Sequence, residues 1–184
     1  MKKVITIVIS LILTLAMFSG CTQKGFDQET AITVITREEG SGTRGAFIEL
    51  LGIEQKNSDG VKVDRTIATA DTNSSTGVVL ASVAQNMYAI GYISLGSLND
   101  TVKALSIDGA AVTVENIKSG SYKVSRPFNI AVKEGLSDVA QDFINYILSK
   151  EGQAVVENAG YISSVAGESY SGIKPSGTVT VAGS

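Results

Sequence analysis

One stretch constrains this chain more than any other: Ile32-Thr33-Val34-Ile35-Thr36-Arg37-Glu38-Glu39-Gly40-Ser41-Gly42-Thr43-Arg44-Gly45-Ala46-Phe47. Its first half alternates β-prone residues with the two-residue period of a half-buried strand. It ends in an arginine, breaks through a glycine-serine-glycine-threonine turn, and resumes with helical spacing. A strand that runs through such a turn into a helix aims backbone N–H groups at one point, where the helix dipole favours an anion. Arg37 at the strand end adds a fixed charge and a planar fork of donors. The sequence therefore predicts an oxyanion site at Arg37, Ser41, Gly42 and Thr43. It is not a nucleotide phosphate loop, because the Gly-Lys-Ser/Thr ending is absent.

The N-terminus carries a second signal. Met1-Lys2-Lys3 is a short basic start, Val4 to Phe18 is largely apolar, and Ser19-Gly20-Cys21 closes it. A short apolar run with small residues at its end reads as a secretory leader rather than a spanning helix. Phe18-Ser19-Gly20-Cys21 resembles a bacterial lipobox, which would place a lipid on Cys21 and an extracytoplasmic, membrane-anchored chain beyond it. The plain alternative is a buried cysteine in a hydrophobic helix.

Of 184 residues, none is histidine or tryptophan and one is cysteine. Metal sites built on Cys or His, and Ser-His-Asp or Cys-His catalytic units made within this chain, are thereby excluded, and no cofactor is implied. A net charge of −3 gives no basic footprint for nucleic acid. Anion binding must come from local geometry, not from the overall field.

Strand-like and helix-like segments alternate beyond the opening motif. Strands are expected at 32–36, 61–68, 88–94, 102–107 and 128–133. Helices are expected at 43–51, 77–85, 114–119, 139–148 and 152–159, the fourth having the cleanest apolar rows, Val139-Phe143-Ile147 and Ala140-Ile144-Leu148. In the first two helices the expected core residues are Phe47, Leu50 and Leu51, then Val79, Leu80, Val83 and Ala84. Asp71 to Gly77 reads as a polar loop rich in helix N-cap residues. This is an α/β pattern with a mixed sheet flanked by helices. The expected divisions are a signal peptide at 1–21, a tether at 22–30, one lobe at 31–163, a Gly-rich linker at 164–176 and the start of a further lobe at 177–184.

Taken together, Thr36 to Arg44, Ala89-Ile90-Gly91-Tyr92, Ser125-Arg126-Pro127-Phe128 and Leu148-Ser149-Lys150-Glu151-Gly152-Gln153 resemble, in order and spacing, the second lobe of a PstS-type phosphate-binding lipoprotein. The resemblance covers roughly 32–162 and implies a lobe of the periplasmic-binding-protein type II fold. It implies inorganic phosphate as ligand and a permease and ATPase of an ABC importer as partners. It implies that Arg37 pairs with a phosphate oxygen, that Ser41 and Thr43 donate, that Gly42 lets the backbone approach, and that Glu39, beside Gly40, orients Arg37. In that family the ligand lies between two lobes. Only a short tether separates Cys21 from the second-lobe motif, while Gly177 to Ser184 resembles the opening strand and phosphate loop of the first lobe, with Ser184 as its first loop residue. The expectation is a truncated chain, or a fragment with reordered or duplicated lobes, that alone binds phosphate weakly.

Blander readings compete with these. Arg37 alone reads as a solvated arginine paired with Glu38 or Glu39. Ser41 to Thr43 reads as a plain helix cap, which is compatible with anion binding. The Asn73 to Thr76 loop reads first as an N-cap and second as a further donor cluster, Arg126 as structural, and Tyr88 and Tyr92 as core or rim residues. For the whole chain the alternatives are a binder of sulfate or molybdate, a surface interaction module that has lost transport, and, least supported without histidine or metal ligands, a phosphate-ester hydrolase.

Overall fold

A computed structural model describes residues 25–163 and 167–183. The leader, the lipobox cysteine Cys21, part of the linker and Ser184 lie outside the described residues. The chain divides into two units, Met1–Ala31 and Ile32–Ser184. The described part of the first holds a turn in which the Glu29 N–H and the Thr30 hydroxyl donate to the Asp27 carboxylate.

The second unit is built on strand β1 (Thr33–Arg37). Its partners among the described residues are β4 (Asp71–Asn73) on one side and β5 (Ala89–Ile90) on the other, both parallel, giving the order β4-β1-β5. The register sets Arg37 opposite Asn73 and Val34 opposite Ile90. Strands β2 (Glu54–Lys56) and β3 (Lys62–Asp64) form a separate antiparallel hairpin. Parallel and antiparallel pairing are thus divided between two sheets.

Helix α1 (Gly42–Leu50) follows β1, and helix α2 (Thr76–Gln85) follows β4. Ser41 and Ser75 are their N-caps, each side chain accepting a first-turn N–H, from Arg44 and Val78 respectively. Gly40 takes a φ of +83°, a left-handed turn that glycine adopts without strain. Among the described residues the buried hydrophobic ones are Ile35, Ile48 and Val79, from β1, α1 and α2, so the core lies where these three elements meet. Leu50, Leu51 and Ala84 are exposed, contrary to the periodicity, and Ile48 takes the inward position on α1.

Downstream stand the short helix α3 (Val114–Lys118) and the pair α4 (Asp138–Leu148) and α5 (Lys150–Asn158). On α4 the apolar rows are only partly covered: Phe143 and Leu148 are exposed, while Asp142 is buried and accepts the Tyr170 hydroxyl. The 167–173 segment lies along this pair: the Lys150 N–H donates to the Glu168 carbonyl, and the Tyr170 N–H to the Glu151 carboxylate.

Three expectations change. Asp71 to Asn73 is a strand, not loop, because its backbone completes the ladder of β1. The 102–107 segment forms only an isolated bridge, Ile107 to Ala110, across the Asp108-Gly109 turn. The 128–133 segment has strand-like alternation but forms no ladder among the described residues, and Phe128 is 83% exposed.

Candidate oxyanion site at the end of strand β1

In a parallel sheet the turns after the strands gather at the carboxyl edge, and ligands bind where neighbouring connections diverge. Here the turn after β1 supplies Ser41 to Thr43, the turn after β4 supplies Ser75 and Thr76, and the segment after β5 supplies Tyr92 and Ser94. Arg37 stands at the centre of this edge, with its side chain 13% exposed.

The guanidinium is held on two sides. Nε and Nη2 donate to the Glu38 carboxylate, each at 2.9 Å, and Nη1 donates to Thr76 Oγ1 at 3.1 Å. Three of its five N–H donors are engaged in this way, and the other two remain. The Arg37 bond, followed by Glu38's own backbone N–H, holds the Glu38 carboxyl below its ordinary range. The same bond raises the Arg37 guanidinium above its ordinary range.

The backbone of Arg37 is pinned as firmly. Tyr92 Oη accepts the Arg37 N–H at 3.1 Å and lies 2.6 Å from Thr36 Oγ1. β5 pairs with β1 only as far as Ile90, so the phenol takes the place of the next ladder partner. Its ring stacks on Phe47 of α1, with centroids 4.0 Å apart and planes 11° apart. On the other side Arg44 Nη1 donates to the Arg37 carbonyl, while its Nε and Nη2 grip Asp64 of β3 at 3.1 and 2.7 Å. Burial alone would raise the Asp64 carboxyl, but bonds from Thr66 and Arg44 outweigh it and hold it low.

The predicted residues Arg37, Ser41, Gly42 and Thr43 are contiguous around this point. Ser41 Oγ accepts the Arg44 N–H at 3.4 Å, which leaves its own proton to donate. Gly42 and Thr43 open α1, where backbone N–H groups lack intrahelical acceptors. The Thr43 hydroxyl lies 3.1 Å from that of Ser94. The edge therefore gathers arginine, hydroxyl and helix-terminal donors, the groups that hold a tetrahedral oxyanion.

Glu39 does not orient Arg37; Glu38 does. The Glu38 N–H still donates to the Asn73 carbonyl at 3.2 Å, so Glu38 stays beside the arginine. The turn at Gly40 then carries Glu39 into solvent. In the Asn73 to Thr76 loop Ser75 caps α2, as the first reading has it, and Thr76 accepts from Arg37. Arg126 is structural, bonding Glu49 and the Gly42 carbonyl. Tyr92 and Ser94 had no local signature as site residues; their contacts cross 51 to 56 positions of sequence.

A family model for the PBP superfamily domain matches residues 16–151. The chain belongs to that superfamily. Within it the chain is similar to phosphate-binding proteins named PstS. The phosphate-binding protein PstS 2 of Streptococcus agalactiae serotype V is 50% identical over 185 aligned residues, covering 100% of this chain and 63% of that protein. PstS 2 of Streptococcus pneumoniae serotype 4 is 47% identical over 154 residues, covering 83% of this chain and 53% of that protein. The chain thus spans less than two-thirds of the length of these relatives. The crystal structure of a phosphate-binding protein of a phosphate ABC transporter from S. pneumoniae TIGR4 matches with a TM-score of 0.72 at 47% identity, over 80% of this chain and 58% of that one. An ABC-type phosphate transport receptor from Vibrio cholerae matches at 0.62 and 31% identity, over 72% of this chain and 53% of that one.

Proposed function

We propose that this lobe captures inorganic phosphate for an ABC import system, holding it with Arg37, Ser41, Gly42 and Thr43. The observation that carries the reading is the pairing of Arg37's two remaining donors with the open N-terminus of α1 at one sheet edge. Relatives whose names state phosphate binding support the choice among oxyanions. The chain is a binding component, not an enzyme. It works outside the cytoplasm, tethered through a lipid on Cys21, and hands phosphate to the permease and ATPase subunits of the importer.

Glu38 already occupies two of Arg37's donors, and its negative charge opposes an incoming anion. Affinity is therefore expected to be weak until a second lobe closes over the site. The test is a titration of the full chain with phosphate and with sulfate at matched ionic strength. Phosphate should bind more tightly than sulfate, and Arg37→Ala should weaken it at least about tenfold, the scale of one lost charged hydrogen bond. Equal affinity for the two anions, or an Arg37→Ala variant that binds as the parent does, overturns the reading.

A further inference from the structure

Ser94 stands at the N-cap position of the 3-10 turn Leu95–Ser97, yet its side chain makes no cap hydrogen bond. A serine in this position ordinarily turns its oxygen onto the first N–H groups of its own turn. Here the hydroxyl instead lies 3.1 Å from Thr43 Oγ1, on the other side of the switch between β1 and β5. Both residues are half-buried.

Each hydroxyl has one proton and two lone pairs, so the pair has two arrangements. If Thr43 donates to Ser94, Thr43 turns a lone pair outward and repels an anion. If Ser94 donates to Thr43, the Thr43 proton is left to point out of the helix end. Without Ser94 the Thr43 hydroxyl loses this partner and is free to rotate, so its proton is no longer committed to one direction.

We infer that Ser94 is a positioning residue of the anion site: it donates its proton to Thr43 Oγ1 and so commits the Thr43 proton to the bound anion. The inference rests on the phosphate reading above. It adds a contribution from the segment after β5 to those from the turns after β1 and β4.

The experiment is a phosphate titration of the full chain, followed through the amide NMR shifts of Gly42 and Thr43. It compares the parent with Ser94→Ala, Ser94→Thr, Thr43→Val, the Ser94→Ala/Thr43→Val double variant and Arg37→Ala. Ser94→Ala is expected to weaken phosphate roughly fivefold, on the scale of one neutral hydrogen bond. Ser94→Thr, which keeps the hydroxyl, should restore most of the affinity. In the Thr43→Val background Ser94→Ala should have no further effect, whereas a merely structural serine would weaken both backgrounds alike. Ser94→Cys keeps the shape of the side chain with a larger atom and a weaker donor and should fall between parent and Ser94→Ala, which provides the comparison if the alanine variant does not fold. Parent-like binding by Ser94→Ala or Ser94→Cys while Arg37→Ala has lost binding overturns this inference alone. A parent chain without any phosphate-dependent shift overturns the functional reading and this inference together.

Discussion

Replacing Tyr92 by phenylalanine removes one oxygen from the least exposed part of the site edge. That oxygen serves two groups, the Thr36 hydroxyl at 2.6 Å and the Arg37 N–H at 3.1 Å. Thr36 is only 2% exposed, so water is not available as a substitute partner. A buried polar group left without its partner costs about 1–3 kcal/mol. Two such groups, one of them a hydroxyl able to rotate, put the loss at about 2–4 kcal/mol. The ring is kept, so its stacking on Phe47 survives; Tyr92→Leu would forfeit a further ~0.5–1.5 kcal/mol for the aromatic pair. Against a total stability of about 5–15 kcal/mol this is a large fraction. Urea unfolding should show a lower midpoint at unchanged slope, and amide hydrogen exchange at Arg37 should accelerate. A midpoint shift worth less than about 0.5 kcal/mol, together with an Arg37 amide as protected as in the parent, would refute the claim that the phenol replaces a strand partner.

Other outcomes follow from the same contacts. Because Arg37 holds the Glu38 carboxyl below its ordinary 4.5, the pair stabilises the fold fully above that pH and loses its effect as pH falls through the depressed value. Glu38→Gln should therefore flatten the acid limb of a stability-versus-pH curve and tighten anion binding. A Cβ on Gly91 would lie 3.0 Å from Val79 Cγ1 and 3.3 Å from Val83 Cγ2, so Gly91→Ala should cost about 1–3 kcal/mol by overpacking, read as a lower melting temperature. Tyr170→Phe should release the 167–173 segment from α4 and α5, measured as faster proteolysis there. The Asp142 bond raises the Tyr170 phenol above its ordinary 10.0, so in the parent this attachment is full below that pH and fails only as pH rises through the raised value.

The centre of the site was legible because two strong local codes meet there. Alternation over Ile32 to Thr36 and the cap chemistry of Ser41 each act over a few residues, and tertiary packing agrees with both. Asp71-Thr72-Asn73 was illegible for the opposite reason. Asp71 and Asn73 disfavour strands, and only pairing with β1 makes the segment one. Phe128 to Lys133 fails in the other sense: the composition is that of a strand, but strand propensity is largely packing against neighbours, and no ladder forms there among the described residues. On α4 the apolar rows were visible, yet the inward position of Asp142 depends on Tyr170, 28 residues away. The exchange of Glu39 for Glu38 at Arg37 turns on where the chain leaves the ladder, a matter of one residue that no periodicity resolves.

The early end of β5 has a further consequence. A sheet edge with free N–H and C=O groups invites any extended chain to add to it, which is how edge strands seed aggregation. Beside Thr36 and Arg37 that invitation is withdrawn, because Tyr92 meets the strand with a side chain that no incoming backbone can continue. The end of β1 is thus closed to strand addition on the β5 side by a side chain rather than by another strand.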